Sequence, residues 1–455
     1  MPPTLPGFPD YSALKTKAKI DELVRLAETD LTNNPFVYGA GIAKLLSAAL
    51  VAYRNSRGVP RWTTDQFLAR ANQTNRCFHL LLAALFDLLC NIEYVRGRLV
   101  NAKWIYCHRE GASPKAFYSF LKQCPLCCLD RGLETRLAGA QHKPSSHHIG
   151  EITTTAMALL LRLVVEGSPA PLRIAAITKQ SHDVDAIGYS DSVLLLFEIK
   201  ASPMVNFPLC LEVGTALYEL VEGERTEYRQ HKLIDVLLDY KKISLCIPHR
   251  NLHFPLGGVG DTGWPYQAAI DVFGNHENLL SYFSAWLELF YAYSVPKRRR
   301  TAKEQALTYL VNGWGDEIDS NKTKPGLGRT DDIKKGTYQV IKFGAYYHDE
   351  NASLPVKGVL AANLDPLFLR PEYLDKMVDL RWGRGPNFIK SGDEYRIRED
   401  LLYFVYNAIL AFNEPVINDP LLLPHFDLAA CEAALKGGVL DGLLTQWAGG
   451  AAKKT

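Results

Sequence analysis

Charge of either sign is nearly balanced in this chain: 51 Lys and Arg stand against 49 Asp and Glu, a formal net charge of +2. That balance excludes a global basic field, so any surface for a polyanion must come from local clusters of Lys and Arg. Long apolar runs are also wanting. Stretches such as Ala156 to Val165, with Arg162 inside, fall short of the ~20 residues that a bilayer-spanning helix needs. The opening MPPTLPGFPDYSALKTK is proline-rich and lacks the apolar core of a secretory leader. These absences point to a cytoplasmic protein with no membrane partner. Cysteine is sparse, nine in 455 residues, and without a leader the nine read as thiols or metal ligands rather than a disulfide framework. No G-x4-GK[ST] loop occurs, which excludes P-loop nucleotide hydrolysis. Internal repeats are absent, and the one low-complexity stretch is the C-terminal AGGAAKKT, expected to be disordered.

What is present is an ordinary globular composition, 47% hydrophobic and 22% charged, in a chain long enough for two or three modules. The most informative stretch runs from His182 to Lys200, HDVDAIGYSDSVLLLFEIK. Asp185 follows a short alternating run, while Glu198 and Lys200 close the apolar run Val193 to Phe197, with Ile199 between them. Side chains alternate faces along a strand, so Glu198 and Lys200 project to one side. If the two segments pair across the turn Gly188–Asp191, Asp185 comes to lie beside them. Two carboxylates and an ammonium around one point suit a hard divalent cation and a phosphodiester. Alternation puts Asp183 on the same face, but Asp185 lies deeper in the strand, before Ala186 and Ile187, and is the preferred ligand. A strand that ends in Glu and Lys is more often just a solvated strand end. The helix–strand–strand order around these residues raises them above that reading.

Asp185, twelve intervening residues, then Glu198-Ile199-Lys200 resembles the PD-(D/E)xK nuclease superfamily. Val184 stands where the family often has proline. The resemblance covers about fifty residues, Glu151 to Lys200. It implies an α/β (α+β) fold with a restriction-endonuclease-like core, a mixed central sheet flanked by helices. Asp185, Glu198 and the backbone carbonyl of Ile199 would hold Mg²⁺, and Lys200 would position or deprotonate the attacking water. Glu151, in HHIGEITTTAMALLLRLVV, matches the acidic residue that the family often carries on the helix before the first strand. Within the superfamily the chain is most like a type II restriction endonuclease. That implies double-stranded DNA as substrate, 5′-phosphate and 3′-hydroxyl ends, a homodimer on palindromic sites, and a cognate methyltransferase acting on the same site rather than binding. The alternatives are a repair, phage-defence or mobile-element nuclease with the same core, or an inactive nucleic-acid-binding protein.

A second cluster precedes this motif. The knuckle Cys124-Pro-Leu-Cys127, with Cys107 upstream and His142 downstream, supplies four ligands of the type that hold structural Zn²⁺ tetrahedrally. His108, His147 and His148 are alternatives to His142, and Cys128 is expected as a packed thiol. Buried free cysteines would look the same in sequence.

These features divide the chain into a helical N-terminal module (1–100), a zinc-binding segment (101–148), the first half of the core (149–210), an insertion with a possible DNA-recognition role (211–325), the second half of the core (326–370) and a C-terminal helical and loop region (371–455). The second half rests on RTDDIKKGTYQVIKFGAYYHD, which opens with a helix-start signature, and on PVKGVLAAN, a buried-strand pattern. A crossover helix joining parallel strands is the normal solution for such a pair. The basic run Lys297, Arg298, Arg299 and Arg300, together with Lys334 and Lys335, gives the candidate DNA contacts, with Gln339 and Lys342 near the same cleft. Solvated lysines on an exposed face are the competing reading.

Overall fold

The computed structural model describes residues 39–56, 66–97, 101–107, 115–118, 126, 129, 146–177, 184–212, 226–232, 243–258, 260–308, 324–347, 355–383, 388–397 and 402–449. In chain order they form α1 (Gly39–Asn55), α2 (Gln66–Gln73), α3 (Cys77–Gly97), β1 (Asn101–Cys107), β2 (Lys115–Tyr118), α4 (Ser146–Glu166), β3 (Arg173–Ala176), β4 (Ala186–Tyr189), β5 (Leu194–Ile199), β6 (Leu209–Glu212), β7 (Thr226–Lys232), β8 (Ile243–Ile247) and β9 (Leu252–Pro255). There follow α5 (Tyr266–Phe273), α6 (His276–Ser294), α7 (Ala302–Leu307), α8 (Thr330–Tyr347), β10 (Val356–Ala362), β11 (Arg381–Gly383), β12 (Phe388–Ser391), β13 (Glu394–Ile397), β14 (Leu402–Phe404), β15 (Ala408–Ala411), β16 (Val416–Ile417), α9 (Leu428–Gly437) and α10 (Asp441–Gly449). The protein is mixed α/β, and it divides into two compact units.

The described residues of the first unit fall within 157–201 and 327–433. Its sheet has the order β16-β15-β10-β5-β4-β3. β4 pairs antiparallel with β3 and β5, whereas β10 runs parallel to both β5 and β15. The parallel pair is joined through α8, which packs on β5 and β10, as the crossover rule requires. Every residue of β5 is buried, so the strand is covered on both faces. On the α8 side, Leu194 and Leu196 cluster with Phe343; on the other, Phe197 meets Phe426 edge-on at 6.3 Å. The described residues within 371–455, read from sequence as helix and loop, include six strands. β15 is buried throughout and lacks polar alternation, so its pattern resembles a short piece of buried helix.

The second unit takes residues 38–156, 202–326 and 434–455. Its sheet, β7-β1-β2-β6-β8-β9, is antiparallel throughout. In this unit α1 packs against α3, α5, α6 and α10, and α6 also packs against α2, α5 and α7. Contrary to the expectation from sequence, one segment of α3, Cys77–Val95, is long and apolar enough to cross a membrane; 94% of it is buried inside the protein. Asp87, Asn91 and Glu93 interrupt that run, and all three are buried. The five cysteines that the structure describes in full, Cys77, Cys90, Cys210, Cys246 and Cys431, are buried free thiols.

Candidate active site

Asp185 stands just before β4, with its backbone held on both sides. Ile177 N–H donates to its carbonyl at 2.8 Å, and its own N–H donates to Phe197 O at 3.1 Å. The register Ala186–Phe197 then sets Asp185 beside the end of β5. There Asp185 Oδ2 accepts the Ile199 N–H at 2.8 Å. Glu198 is 7% exposed, and its Oε1 pairs with the Lys200 ammonium. Lys200 N–H donates to Ala361 O at 2.9 Å, which ties this end of β5 to β10. The ladder thus brings Asp185, Glu198 and Lys200 together through backbone bonds, before any side chain has to choose a partner.

The electrostatics follow from that packing. Burial pushes the Asp185 carboxyl above its ordinary value, although Lys200 and the Ile199 N–H pull the other way. Burial would push the Lys200 ammonium down, but Glu198 and Asp185 outweigh it, and the group is held above its ordinary value. Lys200 therefore stays charged at neutral pH. Asp332, on the first turn of α8, is also raised by burial, while Arg329, Lys200 and Lys335 favour its ionised form. It lies 3.5 Å from Arg329 Nη1. In sequence this aspartate reads only as a helix-start residue, because acidic residues favour the first turn of any helix.

Other sequence candidates fall in varied places. Glu151 is half-buried on α4, in the half that belongs to the second unit. Lys334 and Lys335 are exposed on α8, and Lys335 lies within the electrostatic reach of Asp332. Lys297, Arg298 and Arg299 are exposed on a short 3₁₀ turn. Arg300 is engaged: its Nε and Nη2 donate to the Val295 and Tyr293 carbonyls at 2.8 and 3.0 Å, closing the C-terminus of α6. Asp183, Cys124, Cys127 and His142 lie outside the described residues, and Cys107 is described only as the last residue of β1.

Among the described residues no group of three or more His, Cys, Asp or Glu side chains is arranged to hold a metal ion. Mg²⁺ does not need one. It binds through one or two carboxylates and keeps waters or substrate phosphate oxygens for the rest, so the oxygen donors of Asp185 and Glu198 fit that demand. The second unit holds a polar cavity of about 470 Å³ lined by Phe67, His249, Arg250, Glu288 and Lys303 among others. Its buried Glu288 is already paired with the cations Arg250 and Lys303, at 2.5 and 3.7 Å, with His249 Nε2 at 3.3 Å, and offers no spare carboxylate for chemistry. Comparison with known family models, with curated proteins and with solved structures finds no match to this chain.

Proposed function

We propose that the chain is a Mg²⁺-dependent endonuclease of the PD-(D/E)xK kind, hydrolysing phosphodiester bonds of double-stranded DNA to 5′-phosphate and 3′-hydroxyl ends. The observation that supports it most is the convergence of Asp185, Glu198 and Lys200 at one end of a buried strand, with the lysine charged between two carboxylates. The order helix, three antiparallel strands, crossover helix and parallel strand adds to that support. Asp185, Glu198 and the Ile199 carbonyl would hold Mg²⁺, which when bound lowers the pKa of a water and relieves charge on the phosphate. Lys200 would orient that water and offset the negative charge that develops on the phosphoryl oxygens. Glu151 would assist on the side of α4. Lys297, Arg298, Arg299, Arg300, Lys334 and Lys335 would contact phosphates. A structural Zn²⁺ on Cys107, Cys124, Cys127 and His142 would pin the segment before α4.

Within this reading the chain acts as a cytoplasmic type II restriction enzyme, a homodimer that cleaves without ATP. Incubating the purified protein with unmethylated phage DNA and Mg²⁺, with and without EDTA and beside Glu198→Ala, tests it. Discrete fragments that need metal and disappear in the variant are expected. A smear would point to a repair, phage-defence or mobile-element nuclease. Binding without cleavage by the wild-type protein would overturn the catalytic reading in favour of an inactive nucleic-acid-binding protein.

A further inference from the structure

Helix α8 lies over β5 and β10 in a fixed order. Phe343 packs with Leu194 and Leu196. Nearer the helix start, a Cβ on Gly358 would meet Val340 Cγ1 at 2.9 Å. Nearer still, a Cβ on Gly336 would lie 2.7 Å from Leu360 Cδ1 and 3.6 Å from Lys200 Cγ. Moving toward the N-terminus of α8 therefore follows β5 from Leu194 to Lys200. Gly336 thus lies beside the lysine stem, and the neighbour that an added Cβ would crowd there is Leu360. Residues four apart share a helix face, so Asp332 is the next group on the Gly336 line, ~6 Å further along the axis. That is the direction of the strand's carboxyl end, where the Lys200 side chain emerges. Asp332 and Lys200 each act electrostatically on the other. Arg329 occupies Oδ2 of Asp332 only at 3.5 Å, and a carboxylate has about four lone-pair sites, so a second cation can be accommodated.

The Lys200 ammonium pairs in this structure with Glu198, the carboxylate that the nuclease reading assigns to the metal. One carboxylate cannot serve both at full strength, because the ammonium occupies lone pairs that the metal needs and the two cations repel. We propose that Asp332 is a positioning residue that receives the Lys200 ammonium when Glu198 turns to a divalent cation. The exchange keeps the lysine beside the reaction centre instead of expelling it to solvent. This inference rests on the reading of Asp185 and Glu198 as metal ligands.

The test is a Mn²⁺ titration of the full-length protein, followed by electron paramagnetic resonance, on wild type, Asp332→Asn, Asp332→Glu, Lys200→Ala, Lys200→Ala/Asp332→Asn and Glu198→Gln. Asp332→Asn should weaken Mn²⁺ binding about tenfold, equivalent to about 1.4 kcal/mol, and Asp332→Glu should restore it. With Lys200 replaced by Ala there is no ammonium to receive, and adding Asp332→Asn should change nothing. Equal weakening in both backgrounds would overturn the proposal by making Asp332 a direct ligand. Unchanged binding in Asp332→Asn would overturn it by giving Asp332 no part. Wild-type protein without a Glu198-dependent Mn²⁺ site would sink the metal reading itself, and the inference with it.

Discussion

Asp87 and Glu288 are both buried carboxylates of the second unit, 0% and 5% exposed, and their neighbours pull their protons in opposite directions. Burial lifts Asp87 to about 7, outweighing the pull toward ionisation of three neutral donors: Trp286 Nε1 at 2.7 Å, Met204 N–H at 2.9 Å and Val205 N–H at 3.0 Å. Burial would lift Glu288 too, but hydrogen bonds and charge from His249 and Arg250 hold it down at about 2. For Asp87 the fold favours the protonated form, so stability should fall by roughly 4 kcal/mol as pH rises from 3.8 to about 7, then level off. Urea denaturation of Asp87→Asn should lack that slope; a slope equal to wild type would refute the assignment. Glu288 contributes above its ordinary 4.5 and loses that contribution as pH falls toward 2. Glu288→Gln should cost about 2 kcal/mol at pH 7, after allowance for the solvent that reaches its partners, and progressively less below pH 4.5. At this scale Asp185, Glu198 and Lys200 were legible, since strand alternation alone puts Glu198 and Lys200 on one face. Asp332 was not, because its link to Lys200 depends on which strand α8 crosses.

Helix α8 and strand β10 approach so closely that a glycine is needed between them. At Gly358 an added Cβ would meet Val340 Cγ1 at 2.9 Å and the Val340 carbonyl oxygen at 3.2 Å, and a backbone atom cannot turn aside. Gly358→Ala should therefore lower the chemical denaturation free energy by ~1–3 kcal/mol, the usual cost of overpacking. A denaturation midpoint unchanged from wild type would contradict it. The same substitution at Gly336 should cost less, since its nearest neighbour is the movable methyl of Leu360. The elements around the site were readable because each carries a clear local signal. α4 ends at Glu166, just before Gly167, β5 is an apolar run closed by charge, and α8 opens on Thr330-Asp331-Asp332. β15 and β16 were not, because a short strand buried among others gives no periodicity to count.

Each unit is assembled from separated stretches of chain, which has consequences for the whole molecule. The segment Met204 to Phe207, only a few residues beyond Lys200, gives its backbone N–H groups to α3: Met204 and Val205 to Asp87, and Phe207 to Asn91 at 3.0 Å. Asn91 Nδ2 returns a bond to Val205 O at 2.8 Å. Residues 202–326 expressed alone would leave those groups unpaired, at ~1–3 kcal/mol each if they stayed buried. That fragment should not unfold cooperatively in calorimetry, whereas the full chain should. Metal content is a further property of the intact protein. Under the zinc proposal, purified protein should carry one Zn²⁺ per chain by elemental analysis, and Cys124→Ser/Cys127→Ser should carry none. Zinc retained by that double variant would sink the assignment.

The sequence by itself determined the helices and strands around the candidate site and the shared face of Glu198 and Lys200, because helix and strand periodicities are local properties of the backbone. Only the tertiary structure decided three further matters: that 38–156 folds with 202–326, that the first unit's sheet extends through β15 and β16, and that α8 lays Gly336 against Lys200. Each of these depends on pairings between residues far apart in the chain, such as Asp87 with Met204 and Gly336 with Lys200. Contacts of that range are selected by the packing of whole elements, and no local pattern records them.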